Sequence, residues 1–147
     1  VSALRVARER AAAGAPARAV GYGSGNQPPN AIAIAAATPL APVPAAIWHF
    51  GDLDANELRI AADAARAAIR AELPVLRPAV RLYRELLPDG TWQPGGPVIP
   101  EERARELVSW LAEPDLMEAA AAVLTAGKRI AQENVGHEQL ATLHSWV

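Results

Sequence analysis

Ile47-Trp48-His49-Phe50-Gly51-Asp52-Leu53-Asp54 is an apolar run of strand length that stops abruptly at two carboxylates one residue apart. A long helical pattern follows at once, from about Ala55 to Leu73. An apolar strand feeding directly into a helix predicts a βα unit. Its turn then lies at the C-terminal edge of a buried strand, the place where open α/β sheets hold their ligands. The other elements are arranged around that turn.

Within the predicted helix, Leu58, Ala61, Ala62, Ala65 and Ile69 fall on one side at helical spacing. Arg59, Asp63, Arg66 and Arg70 line another, a pattern that reads as a solvated face with i,i+4 pairing. Pro74 closes the helix, and Val75 to Leu82 reads as a further strand in which Pro78 marks an edge or a break. Upstream, Ser2 to Ala13 carries a helical pattern, Ala17 to Tyr22 a short strand, and Pro28 to Ala37 a second helix. The glycine-rich Gly21-Tyr22-Gly23-Ser24-Gly25 lacks the Gly-Lys-Ser/Thr ending of a phosphate loop and reads as a tight strand-to-helix turn. Downstream, Arg84 to Pro100 is a long connection punctuated by Pro88-Asp89-Gly90 and Pro94-Gly95-Gly96-Pro97. Helices are predicted at about Glu101 to Ala112, Asp115 to Ala126 and from about His137.

With 147 residues the chain is of single-domain size, its core at about 1–83 and a loop with C-terminal helices at about 84–147. Hydrophobic residues make up 51% of it, but no run approaches the roughly 18 apolar residues that span a bilayer. No secretory signal pattern opens the sequence. Cysteine is absent, which excludes disulfides and thiolate metal sites and leaves oxygen or imidazole as metal ligands. A net charge of -2 argues against a basic surface spread over the whole molecule, though not against a local one.

Two readings of the aspartates stand side by side. Asp54-Ala55-Asn56-Glu57 fits a capping box, with Asp54 accepting from first-turn amides and Glu57 reaching back. That local role leaves Asp52 unexplained, since a second carboxylate so close is costly without a compensating cation. Hard oxygen ligands suit magnesium or manganese. His49, on the strand ahead of the turn, reads as a packed or hydrogen-bonded histidine, and His137 and His144 have no metal-ligand spacing.

The segment Phe50-Gly51-Asp52-Leu53-Asp54 with Leu58-Arg59-Ile60 resembles the Asp-X-Asp motif of Toprim domains, the catalytic module of topoisomerases, primases and several nucleases. Val80-Arg81-Leu82-Tyr83 and Arg129-Ile130-Ala131-Gln132-Glu133-Asn134-Val135 are similar to late segments of one branch. That branch is the C-terminal Toprim domain of the nuclease subunit of Wadjet-type plasmid-defence systems, related to the topoisomerase VI A subunit. The resemblance runs from Gly21 to about Leu140.

It implies an α/β fold with a Rossmann-like parallel sheet flanked by helices and a helical C-terminal part. It also implies a bacterial, cytoplasmic, magnesium-dependent endonuclease acting on DNA within an SMC-type defence complex, with a homodimer as a further expectation. Asp52 and Asp54 would be metal ligands, Glu133 a further acidic member of the site, and Arg129 a phosphate contact. The glutamate that ends the first strand of Toprim domains would fall just before Val1, so the chain by itself is expected to be inactive; Glu9, inside the predicted first helix, is a poor substitute. Asn56-Glu57 departs from the small residue usual after the second aspartate. Topoisomerase-like strand transfer and a non-catalytic interaction or dimerisation module are the alternatives; for the former, Tyr22 and Tyr83 are weak nucleophile candidates.

Overall fold

The computed structural model describes residues 45–87 and 92–143; the helices and strand expected before residue 45, and the tail with His144, lie outside the described residues. Strand β1 (Ala46–His49) leads through the aspartate turn into helix α1 (Ala55–Arg70), and strand β2 (Val75–Pro78) returns parallel to β1. The register pairs Ala46 with Val75, Ile47 with Leu76, Trp48 with Arg77 and His49 with Pro78. This is the βαβ unit that the apolar run and the helical pattern predict.

Asp54 has extended backbone angles (φ -142°, ψ 167°) and accepts a hydrogen bond from the Glu57 N–H at 2.8 Å, which makes it the N-cap of α1. The buried stripe of α1 is Leu58, Ile60, Ala61, Ala64 and Ala68, whereas Ile69 is 67% exposed. The expected face through Ala62, Ala65 and Ile69 is therefore turned by about a quarter of the helix circumference. The small alanines lie on the inward side, where they let the helix approach its neighbours closely, and the bulkier Ile69 is left in solvent.

The strand expected from Val75 to Leu82 ends at Pro78, and the chain folds instead into helix α2 (Val80–Leu86). Beyond Pro78 the alternation runs on only through Val80 to Leu82. Leu82, Tyr83 and Leu86 recur at helical spacing and all three are buried. β1 is likewise less enclosed than expected, with Trp48 44% exposed, so the strand is half-buried.

Beyond α2, Gln93–Pro94 (β3) pairs antiparallel with Lys128–Arg129 (β4). Between them run α3 (Glu101–Val108), a 3-10 turn (Ser109–Leu111) and α4 (Pro114–Thr125). A second 3-10 turn (Gln132–Asn134) precedes α5 (His137–Thr142), whose start is closed by the Gln139 Oε1, which accepts from the Gly136 N–H at 2.8 Å. The predicted helix to Ala112 tightens into a 3-10 turn after Val108, and Ala112 ends that turn in a left-handed conformation (φ 63°).

The core joins the turn to the helices through Leu53, Leu58, Leu82, Tyr83, Leu107, Leu111, Leu116, Val123, Ile130 and Leu140. Among the described residues no charged side chain is fully buried, and no helix is long and apolar enough to cross a membrane. The architecture is a mixed α/β one, with a small parallel two-stranded sheet flanked by helices.

Candidate functional site

Leu53 is completely buried and anchors the turn, while its neighbours Asp52 and Asp54 are only partly covered. Alternation along an extended backbone explains this arrangement, since the apolar side chain enters the core and the two acids fall on the opposite side. Leu53 also forms an antiparallel bridge with Ile130, its N–H donating to the Ile130 carbonyl at 2.9 Å and its carbonyl accepting from the Ile130 N–H at 3.2 Å. The bridge draws the 129–134 segment alongside the aspartates.

Asp52 then accepts a hydrogen bond on Oδ1 from the Gln132 N–H at 2.9 Å, across 80 residues of sequence. The expectation that Asp52 lacks a structural role is thereby corrected: it tethers the late segment to the turn. The capping box is also only half made. Asp54 caps α1, but the Glu57 carboxylate turns to His49, with Oε1 3.2 Å from Nε2. Asp52 and Asp54 each keep a second carboxylate oxygen with no protein hydrogen bond among the described residues.

Beneath the turn lies an aromatic bed around the fully buried Tyr83. The Gly51 N–H donates to the hydroxyl of fully buried Tyr83 at 3.2 Å. The Tyr83 ring meets Phe50 and Trp110 edge to face, with centroids at 5.4 and 6.3 Å, and His49 meets Trp110 at 5.6 Å. Burial pushes the Tyr83 hydroxyl upward, which with its hydrogen bond removes it as an available nucleophile. Burial holds the His49 imidazole down at about 4, so it is neutral near pH 7. Glu57 is raised by burial first, then by the charges of Asp54 and Asp52. Gly51 brings its backbone close to this pair: a Cβ would stand 2.6 Å from the Glu57 Oε1 and 3.0 Å from the His49 Cε1, so a side chain there would displace the Glu57 carboxylate.

Beside the turn opens a cleft of about 380 Å³, lined by Asp54, Arg59, Gly95, Gly96, Arg103 and Arg129 among others. The structure therefore places Asp52, Asp54 and the 129–132 segment together and sets Arg129 in the cleft wall with Asp54. Glu133 is exposed in the 3-10 turn, 3.5 Å from its neighbour Gln132 Nε2. Among the described residues no group of three or more histidine, aspartate or glutamate side chains is arranged to hold a metal ion. Sequence reasoning passes over Glu57, Arg59 and Arg103 as site neighbours, reading Glu57 as a cap and Arg59 as part of a solvated stripe. The one available signal is that Glu57 and Arg59 lie in the first turn and a half of the helix that the aspartates open. Compared with family models, curated proteins and solved structures, the chain shows no match.

Proposed function

We propose that the Asp52–Asp54 turn is a metal-dependent phosphodiester-cleaving centre of Toprim type acting on DNA. The observation that carries this reading is the placement of two partly covered carboxylates at the C-terminal end of a parallel strand, clamped by the 129–134 segment and opening beside an arginine-lined cleft. In open α/β sheets this edge is the usual ligand position. The donor set fits magnesium or manganese. Asp52 and Asp54 each spend one oxygen on a backbone N–H and leave the other free, and magnesium commonly takes one or two carboxylates and completes its shell with water and phosphate. When bound, the metal supplies positive charge to the phosphate and a lowered pKa to an attacking water.

The chain's own residues supply positioning. The Gln132 N–H sets the Asp52 carboxylate, the Glu57 N–H sets that of Asp54, and buried Leu53 fixes the backbone between them. Arg129 offers its guanidinium to a phosphate oxygen. The Toprim reading also supplies the finer fold, a Rossmann-like parallel sheet of which β1 and β2 are two strands, and the setting, an SMC-type plasmid-defence complex in the bacterial cytoplasm.

A second reading, a non-catalytic interaction module, draws on one observation: both aspartates already have backbone partners. Asp52→Asn and Asp54→Asn separate the two, because asparagine keeps an acceptor for each N–H and removes the charge. The cleavage reading predicts that plasmid nicking in magnesium, measured on a protein that includes the first-strand glutamate the resemblance places ahead of Val1, falls at least about 100-fold in either variant, at an unchanged melting temperature. Nicking that is unchanged in both variants would discard it in favour of the interaction module.

A further inference from the structure

Three arginines reach the cleft beside Asp54 from three separate elements: Arg59 from α1, Arg103 from α3 and Arg129 from β4. Its volume lies at the lower end of the range for small-ligand sites, about 300–1,000 Å³. Gly95 and Gly96 form part of its wall and put no side chain into it. The loop lies directly against β4, since a Cβ on Gly96 would stand 2.9 Å from the Lys128 carbonyl oxygen. Among the charged residues of the lining, the three cations face the single carboxylate of Asp54.

The arginines are held loosely. Arg59 pairs with Asp63 at 3.1 Å and donates to the side-chain Oδ1 of Asn56 at 3.0 Å, and Arg103 pairs with Glu106. These pairs join side chains about half or more exposed, and such surface pairs contribute only about 0–1 kcal/mol. Arg129 is exposed and makes no ion pair among the described residues. A guanidinium without a strong partner, beside two more in weak pairs, is suited to the forked recognition of phosphate oxygens.

We infer that this cleft is a phosphate subsite for a polynucleotide backbone, gripping a phosphodiester that neighbours the one at the aspartate turn. The identity of the ligand rests on the phosphodiester reading of Asp52 and Asp54. The grip itself needs no metal. Gly95 and Gly96, in the long connection, wall the subsite and let the ligand backbone approach Arg129.

The test is fluorescence anisotropy of the 147-residue chain with a fluorescein-labelled oligothymidylate of about 12 nucleotides, in EDTA, over a series of salt concentrations. Arg103→Gln/Arg129→Gln is expected to weaken binding about 10-fold at low salt and to reduce the log-log salt slope by about 1.4, or roughly 0.7 per contact. Arg81→Gln, an exposed arginine on α2 outside the cleft, is expected to stay within about twofold of the parent. Arg103→Lys/Arg129→Lys is expected to restore the slope, which shows that the glutamine pair did not act by unfolding. Equal binding by the glutamine pair and the Arg81 variant, a slope that lysine fails to restore, or no salt-dependent binding by the parent overturns the inference. Displacement by millimolar phosphate that chloride at equal ionic strength does not reproduce assigns the cleft to the free ion and overturns the backbone assignment. The binding is read in EDTA and the nicking in magnesium, so a failure of the cleavage reading appears in nicking alone and a failure of the subsite in binding alone.

Discussion

The two sides of the aspartate turn are built on opposite principles. Beneath it, His49, Phe50, Tyr83 and Trp110 pack edge to face, the Gly51 N–H is held by Tyr83 and the Glu57 carboxylate by the His49 Nε2, while the buried His49 Nδ1 has no hydrogen-bond partner among the described residues. Beside it, Arg59 and Arg103 hold exposed partners on their own helices and Arg129 has no ion-pair partner among the described residues. The bed fixes the backbone at Gly51 because losing the Tyr83 hydroxyl leaves its buried N–H unsatisfied. A weakly paired cleft with exposed arginines can exchange its partners for a ligand at little cost. The turn is thus rigid where it is supported and adaptable where it faces solvent.

The largest expected effect of breaking this contrast is at Tyr83. Tyr83→Ala should cost about 3–5 kcal/mol in urea unfolding, since it removes a fully buried ring. Tyr83→Phe keeps the ring and strands the Gly51 N–H, for about 1–3 kcal/mol. A cost below about 1 kcal/mol for Tyr83→Ala would show that the bed does not hold the turn.

The second effect is on pH. His49 stands at about 4 in the fold against 6.5 ordinarily, so between those values the unfolded chain takes up a proton that the fold refuses. Its contribution is therefore intact above pH 6.5 and lost as pH falls toward 4, by at most about 3 kcal/mol at 1.36 kcal/mol per pH unit. Glu57 is raised and acts in the opposite sense, regaining stability on acidification as pH falls through its raised value toward 4.5. Denaturant unfolding from pH 7 to 4 should show the parent losing stability relative to His49→Gln. Parallel profiles would contradict the assignment.

The smallest effect belongs to the cleft. Arg103→Gln and Arg129→Gln should each change stability by less than about 0.5 kcal/mol, a result read from the same unfolding curves. A larger loss would mean that the arginines are structural and that the two sides of the turn do not differ in this way.

What is legible in the sequence follows the range of the interactions. The turn, its N-cap Asp54 and helix α1 rest on neighbours within four residues, and pattern alone finds them. The inward face of α1 does not follow from periodicity, because Ile69 and Ala68 are adjacent and packing decides which is buried. The false extension of β2 past Pro78 arises because Ala79 to Leu82 is apolar enough for either period. The role of Asp52 is invisible locally, since its partner Gln132 lies 80 residues away. Only the resemblance of the 129–135 segment points toward the turn, and the residue that meets Asp52 is the Gln132 backbone, while Glu133 stays exposed. Arg59 and Arg103 look like ordinary helix-surface charges in one dimension, and the cleft exists only once α1, α3 and β4 are brought together.

The most direct test of the central claim is paramagnetic broadening of the amide resonances by manganese, recorded on the parent chain and on Asp52→Asn/Asp54→Asn. Selective broadening at Leu53, Glu57 and Gln132 in the parent, absent in the double variant, is the expected result. Broadening spread evenly over exposed acidic residues, or unaltered at the turn in the variant, would contradict a metal site between Asp52 and Asp54.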